Sequence, residues 1–273
     1  MTISRLPDRL YPGYIFDLDG TLYVGDDLVP GAADAIAFLR RGGARVAFLT
    51  NKPLERARSY ARKLTTLGIP ADTDDVVTSL DALVVYLLER PPRRAILAVG
   101  EPLVETVLQE AGFDVTARPA DADVVVVSWD RTFNYDKLER AFRAVRGGAR
   151  IVATNPDAFC PTPDGGLPDC AAMLAAIEVS SGARAEAIVG KPSPHMAGDV
   201  LRRLGLPAGS VVMVGDRLAT DVRMARSAGM LAALVLSGAT ADGDVDGAAD
   251  VPDFVLTDVT QLIPRPHLSE ATR

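Results

Sequence analysis

The chain has 273 residues, 48% of them hydrophobic, and a formal net charge of −7. That length and apolar content describe a globular protein of one large or two modest domains, not a disordered chain. The acidic balance argues against a nucleic-acid binder held by a basic stripe. Two histidines and two cysteines, Cys160 and Cys170 outside any CxxC pair, leave little material for a His-rich metal site, a Ser-His-Asp triad or a disulfide framework.

The opening stretch MTISRLPDRLYPGY has no apolar leader, and no run is long enough to span a bilayer. A cytoplasmic protein with no membrane partner is expected. From residue 14 onward the pattern repeats: short apolar strand, turn, amphipathic helix. The expected strands are 14–17, 45–50, 95–99, 124–128, 150–154, 187–190, 211–215, 231–236 and 254–257. Most are unbroken apolar runs, as in strands buried on both faces, so the expected fold is α/β with a parallel sheet covered by helices on both sides. Helical patterns such as PGAADAIAFLRRGG and PLERARSYARKLTTLGI end at glycine, a common helix stop. A weak echo joins RRGGARVAFLTNKP (40–53) to VRGGARIVATNPD (145–157), each reading helix, Gly-Gly, strand, Thr-Asn. The shared punctuation of any αβ unit explains it more simply than duplication. The Pro-Pro break in LLERPPRRAILAVG marks a domain junction, and SSGARAEAIVGKP a return junction.

In open parallel sheets, ligands bind outside the carboxyl ends of the strands. Polar residues stand at those ends here: Asp17 and Asp19 after the first strand, Thr50 and Asn51 after the second, Gly190-Lys191 later, then Asp216 followed by Asp221. Alternate residues of an extended segment point the same way, so Asp17 and Asp19 can face one ligand. One carboxylate can act as a nucleophile toward phosphorus, and the other can exchange a proton with the leaving or attacking oxygen. Gly20 allows a tight turn beside an anion. Thr50 and Asn51 can hydrogen-bond phosphoryl oxygens, and Lys191 adds a positive charge. Asp216 and Asp17 offer the hard oxygen ligands that Mg²⁺ prefers.

Four ordered motifs carry a family resemblance: DLDGTLYVGDDLVPGA, FLTNK, VGKPSP and MVGDRLATDV. The chain resembles the haloacid dehalogenase superfamily, in its NagD-like, p-nitrophenylphosphatase branch, over about residues 14 to 238. The resemblance implies a Rossmann-like, doubly wound core, residues 1–81 and 185–273, and an inserted α/β cap that selects the substrate, residues 82–184. It implies that Asp17 is the nucleophile and Asp19 the general acid/base. Asp17, the Asp19 carbonyl and Asp216 would hold Mg²⁺, with Asp221 supporting through water or further hydrogen bonds, and Thr50, Asn51 and Lys191 would bind the phosphoryl group. The chain departs from the pattern at Lys52, where a second Asn is frequent, and at Asp169-Cys170, where a small Gly-containing pair is usual after Leu-Pro.

The expected activity is Mg²⁺-dependent hydrolysis of small phosphate monoesters through an aspartyl-phosphate. Sugar phosphate, glycerol phosphate, phosphoglycolate, nucleoside monophosphate and pyridoxal phosphate are all open as substrates. A phosphotransferase or phosphomutase would use the same Asp17, and a non-catalytic regulator on this fold is the reading from another class. The partner is a small phosphorylated metabolite, with a homodimer as the assembly common in the family. Asp157, Asp169 and Cys170, in the segment NPDAFCPTPDGGLPDCAAMLAAIE, are candidate substrate contacts. His195 is given no chemistry. The GKPS stretch lacks the glycine spacing of a phosphate-binding loop. Trp129 reads as cap packing.

Overall fold

The computed structural model describes residues 6–160 and 166–264. β1 (Gly13–Asp17) is buried at every residue, as an apolar strand covered on both faces must be. A tight loop leads into a short hairpin, β2 (Tyr23–Val24) paired with β3 (Asp27–Leu28). α1 (Ala32–Arg41) buries Ala32, Ala35, Ile36 and Leu39 along one face. Asp34 in its first turn and Arg40 and Arg41 in its last complement the helix dipole. Gly43, at φ 84°, turns the chain into β4 (Arg45–Thr50). α2 (Ala57–Thr66), β5 (Val76–Thr78) and α3 (Ser79–Glu89) follow.

β6 (Ala95–Val99), α4 (Pro102–Glu110), β7 (Ala122–Val127), α5 (Tyr135–Arg146) and β8 (Arg150–Ala153) repeat the alternation. A second hairpin, β9 (Phe159–Cys160) with β10 (Leu167–Pro168), precedes α6 (Cys170–Ser181) and β11 (Ala185–Ile188). The chain closes with α7 (Pro194–Leu204), β12 (Val211–Gly215), α8 (Arg223–Ala228), β13 (Leu231–Val235) and β14 (Phe254–Leu256).

The strands form a six-stranded sheet, order β14-β13-β12-β1-β4-β5, and a four-stranded sheet, order β11-β8-β7-β6. β1, β12, β13 and β14 pair in parallel, and so do all neighbours of the smaller sheet. This is the Rossmann-like α/β architecture expected. The chain divides into two compact units. One comprises the chain up to Phe48, Lys63–Ala71 and the chain from Val200; the other comprises Leu49–Arg62 and Asp72–Asp199. In the first, the rings of Tyr14, Phe16 and Phe48 are fully buried and in mutual reach, with centroids 6.1 and 6.4 Å apart. Burying each such side chain is worth roughly 1.5–3 kcal/mol. The second has its own core, where β7 and β8 pack Val125, Val127 and Ile151 against Ala141, Leu174 and Ile177 of α5 and α6.

The sequence echo corresponds to two equivalent units. α1, Gly43 and β4 run to Thr50-Asn51; α5, Gly148 (φ 100°) and β8 run to Thr154-Asn155. One expectation needs correction. The strand before Gly190 is not a member of the sheet that holds β1 and β12. It is β11, and it lies parallel to β8 at the edge of the smaller sheet. Gly182, at φ 74°, ends α6 and leaves too short a turn for the chain to travel further. The pattern of β11, with none of its four residues fully buried, is that of an edge strand rather than a central one. No helix among the described residues is long and apolar enough to cross a membrane.

Candidate active site

The acidic residues of the first unit meet at the carboxyl ends of two central strands of its sheet. β1 and β12 are parallel and in register, with Phe16 opposite Val214. Asp17 at the end of β1 and Asp216 just past β12 therefore leave the sheet side by side. The turn after β12 brings back Asp221, whose Oδ2 accepts the Arg217 backbone N–H at 3.0 Å. Asp17, Asp216 and Asp221 are 7%, 2% and 1% exposed. One carboxylate oxygen from each lies within 4.8 Å of the others. Unit charges 4 Å apart repel by about 4 kcal/mol at an effective dielectric constant of 20. Three buried oxygen donors at this spacing fit a hard divalent cation such as Mg²⁺.

Asp19 sits in the loop after β1, half-buried, and bridges to Tyr23. Leu18 and Leu22 are fully buried anchors on either side, and the Leu18 carbonyl accepts the backbone N–H groups of Thr21 and Leu22 at 3.2 and 2.9 Å. Gly20, at φ 86°, is required twice: for the turn, and because a Cβ there would lie 2.5 Å from Asp216 Oδ2.

The segment after β13 was not singled out in the sequence, yet it cradles Asp216. The Ala239 backbone N–H donates to Asp216 Oδ2 at 2.7 Å, the Thr240 hydroxyl donates to the Asp216 carbonyl at 2.5 Å, and the Ser237 hydroxyl donates to the Gly20 carbonyl at 2.8 Å. Gly238 lies so close that a Cβ would meet Asp216 Oδ2 at 2.2 Å. Gly215 does the same for Asp221, whose Cγ would be 2.3 Å from an added Cβ. The only signal in the sequence is Ser-Gly-Ala-Thr directly after an apolar strand.

In the second unit the polar residues gather around Asn51. Its Oδ1 accepts the Lys191 backbone N–H at 2.7 Å, and its Nδ2 donates to the Lys191 carbonyl at 3.1 Å and to Asp157 Oδ2 at 2.9 Å. Its carbonyl accepts the Ser79 hydroxyl at 2.7 Å and Asn155 Nδ2 at 3.2 Å. The echo residue Asn155 thus supports Asn51. Ser79 is itself fixed by the capping box of α3, in which Thr78 and Asp81 exchange hydrogen bonds; such caps are worth about 1 kcal/mol. Gly190 packs where a Cβ would lie 2.6 Å from Asn51 Oδ1. Thr50 and Lys191 are both buried, at 3% exposure, and the Thr50 hydroxyl accepts the Lys52 backbone N–H at 3.1 Å.

Asp157 is half-buried within this network, and Asp169 caps α6, its carboxylate accepting the Cys170 backbone N–H at 2.6 Å. Cys170, expected to touch substrate, is instead a core residue with no exposed surface. As a small polarisable side chain in the first turn of α6 it fills space under β7, its thiol donating to the Val127 carbonyl at 3.4 Å. Burial pushes the Cys170 thiol up to about 11. At pH 8 only about one thiol in a thousand is then ionised. Iodoacetamide should modify half-exposed Cys160 and spare Cys170 in the folded protein, with peptide mass mapping as the check. Residues 161–165 of the candidate specificity segment, and His267, lie outside the described residues. His195 packs edge-on to Tyr86, with centroids 4.9 Å apart, and Trp129 is 2% exposed, so both pack rather than react.

Residues 14–114 match the family model described as haloacid dehalogenase-like hydrolase, and residues 188–262 match a second, HAD-hydrolase-like model. The sugar-phosphatase AraL of Bacillus subtilis is 38% identical over 253 residues, which is 92% of this chain and 92% of AraL. The 4-nitrophenylphosphatase of Thermotoga maritima superposes with a TM-score of 0.86 at 35% identity, covering 92% of this chain and 96% of that one. NagD from E. coli K-12 gives 0.82 at 32% identity, covering 92% and 98%. Sequence, fold and strand-end acids agree: the chain belongs to the haloacid dehalogenase-like hydrolases, in the NagD-like, p-nitrophenylphosphatase branch, and is a phosphatase.

Proposed function

We propose that the protein is a Mg²⁺-dependent phosphatase of small phosphate monoesters, sugar phosphates foremost, working through an aspartyl-phosphate. The observation that carries this reading is the buried cluster of Asp17, Asp216 and Asp221 under Gly20 and Gly238. Asp17 attacks phosphorus in line with the ester oxygen, and the P–O bond to the alcohol breaks. Asp19 protonates the departing alkoxide. The same carboxylate then takes a proton from water, which attacks the phosphorus, releases inorganic phosphate and restores Asp17. Mg²⁺, when bound by Asp17, the Asp19 carbonyl and Asp216 with Asp221 beside them, supplies charge neutralisation for the phosphoryl group.

Thr50, Asn51 and Lys191 bind the phosphoryl oxygens in this reading. Support comes from the ordered motifs and from the hydrogen bonds that lock Asn51 to the Lys191 backbone. The cap is assigned to residues 82–184, with β11 completing its sheet, and the catalytic core to 1–81 and the chain beyond β11. The separate apolar core around β7, β8, α5 and α6 supports an insertion with a role of its own. Asp157 and Asp169 remain its candidate contacts to the leaving group, whereas Cys170 is withdrawn because it is sealed in the core. The preference for sugars rests on the similarity to AraL, which is named for that activity. The acting protein is cytoplasmic and takes a free metabolite; a homodimer is its assembly.

A panel of sugar phosphates, nucleoside monophosphates, glycerol phosphate, phosphoglycolate and pyridoxal phosphate, assayed for free phosphate with Mg²⁺ and with chelator, tests this. The expected result is Mg²⁺-dependent release with the highest kcat/KM among sugar phosphates. A preference for nucleotides would overturn the sugar assignment, and transfer to an added alcohol without free phosphate would replace hydrolysis by phosphotransfer.

A further inference from the structure

The smaller sheet carries a second polar group that the reaction does not use. Asn155 lies just beyond the end of β8, while Arg150 opens that strand, about 16 Å away at 3.3 Å per residue. Around Arg150, at the amino ends of β6, β7 and β8, Arg90, Arg93 and Arg94 line one open cavity of about 540 Å³, in whose wall Asp123 is the carboxylate. Arginine makes up 25 of the chain's 29 basic residues, so its abundance alone marks no site; what sets this place apart is that four guanidinium-bearing residues line one cavity.

The loop that presents them is held firmly. Asp123 accepts the backbone N–H groups of the consecutive residues Arg93 and Arg94 at 2.8 and 3.1 Å, in the bend that follows Pro91-Pro92. The Arg94 guanidinium is anchored on the carbonyls of Ala120 at 2.9 Å and Ala122 at 3.4 Å, neutral partners that leave its charge intact. Arg150 donates to the Arg90 carbonyl and pairs with Glu186 at 2.9 Å. The Tyr86 hydroxyl, and then Arg150, hold the Glu186 carboxyl below the usual carboxylate range, so it stays charged. Arg90 lies over the Tyr86 ring, 5.1 Å from its centroid. Among the described residues neither Arg90 nor Arg93 forms a close ion pair with a carboxylate, although Arg90 is near enough to Glu186 to help hold it charged. With Asp123 and Glu186 set against four arginines, two positive charges stay uncompensated.

We propose that this cavity binds the diphosphate group of a small molecule, with Arg90 and Arg93 as its forks and Arg94 and Arg150 as the fixed wall. Guanidinium forks match phosphate oxygens bidentately, and four of them suit two adjacent phosphoryl groups better than one. The volume falls in the range of small-molecule sites. The site shares no residue with the phosphatase machinery and needs no metal.

Calorimetric titration of the full chain with pyrophosphate and with ADP, in chelator and about 0.15 M salt, tests it. The expected result is one equivalent of binding that persists in Asp17→Asn and weakens at least tenfold in Arg90→Ala/Arg93→Ala. That double variant should melt like the wild type and keep its kcat/KM for p-nitrophenyl phosphate within twofold. Tighter binding of ADP identifies a nucleotide, and equal binding identifies the diphosphate alone as the recognised group. Unchanged affinity in the double variant, or binding of an RNA oligonucleotide with none of pyrophosphate or ADP, would overturn the proposal.

Discussion

Asp17→Asn lowers phosphate release by at least about 10³-fold, or roughly 4 kcal/mol of transition-state stabilisation, while the protein stays folded. Asn is isosteric with Asp, so the 7%-exposed position at the end of β1 keeps its packing. It cannot form an acyl phosphate that water then clears from phosphorus, and it removes one charge from the cluster with Asp216 and Asp221. Losing that charge relieves the mutual repulsion, so the melting temperature in chelator is expected to stay level or rise. Phosphate release from p-nitrophenyl phosphate and thermal melts, run side by side, separate a chemical defect from an unfolded one. Activity within tenfold of wild type would exclude Asp17 as nucleophile.

Gly238→Ala is expected to weaken Mg²⁺ about 10–100-fold, the range found when residues that orient metal ligands are changed. The added Cβ would stand 2.2 Å from Asp216 Oδ2 and 2.6 Å from its Cβ and Cγ. Asp216 is short and buried, so it has no free end to swing aside. It must rotate, and the hydrogen bond from the Ala239 N–H is lost with it. The readout is the Mg²⁺ concentration at half-maximal activity, supported by calorimetric titration of Mg²⁺ alone. Gly243→Ala, where an added Cβ meets nothing within 4 Å, is the matched control and should leave both unchanged.

That glycine marks the limit of what the sequence made legible. β1, β4 and β12 were readable because burial on both faces writes a continuous apolar run, and the acids ending β1 and following β12 break that run abruptly. Ser237, Gly238 and Thr240 were not readable. A hydroxyl and a missing side chain carry no chemistry of their own and matter only through where Asp216 lies. β5 was missed because three residues are too few to show a period. The sheet that β11 joins was hidden because Ala-Glu-Ala-Ile says strand without saying which partner. Cys170 was misread because it stands where the family pattern is broken after Leu-Pro, in the candidate specificity segment, while the helix turns the thiol inward to Val127. The role of Asn155 was visible only as an echo of Asn51, and its hydrogen bond to the Asn51 carbonyl gives that echo a physical meaning within the site.

The covalent step is the centre of the account, and trapping it is the most direct measurement. Wild-type protein mixed with Mg²⁺ and excess p-nitrophenyl phosphate is quenched in acid within one turnover, reduced with borohydride, digested and mapped by mass. The account predicts conversion of residue 17, and no other carboxylate, to homoserine, with none in Asp17→Asn. Full turnover with no modified residue 17 at any quench time, or modification at Asp19 instead, would contradict it.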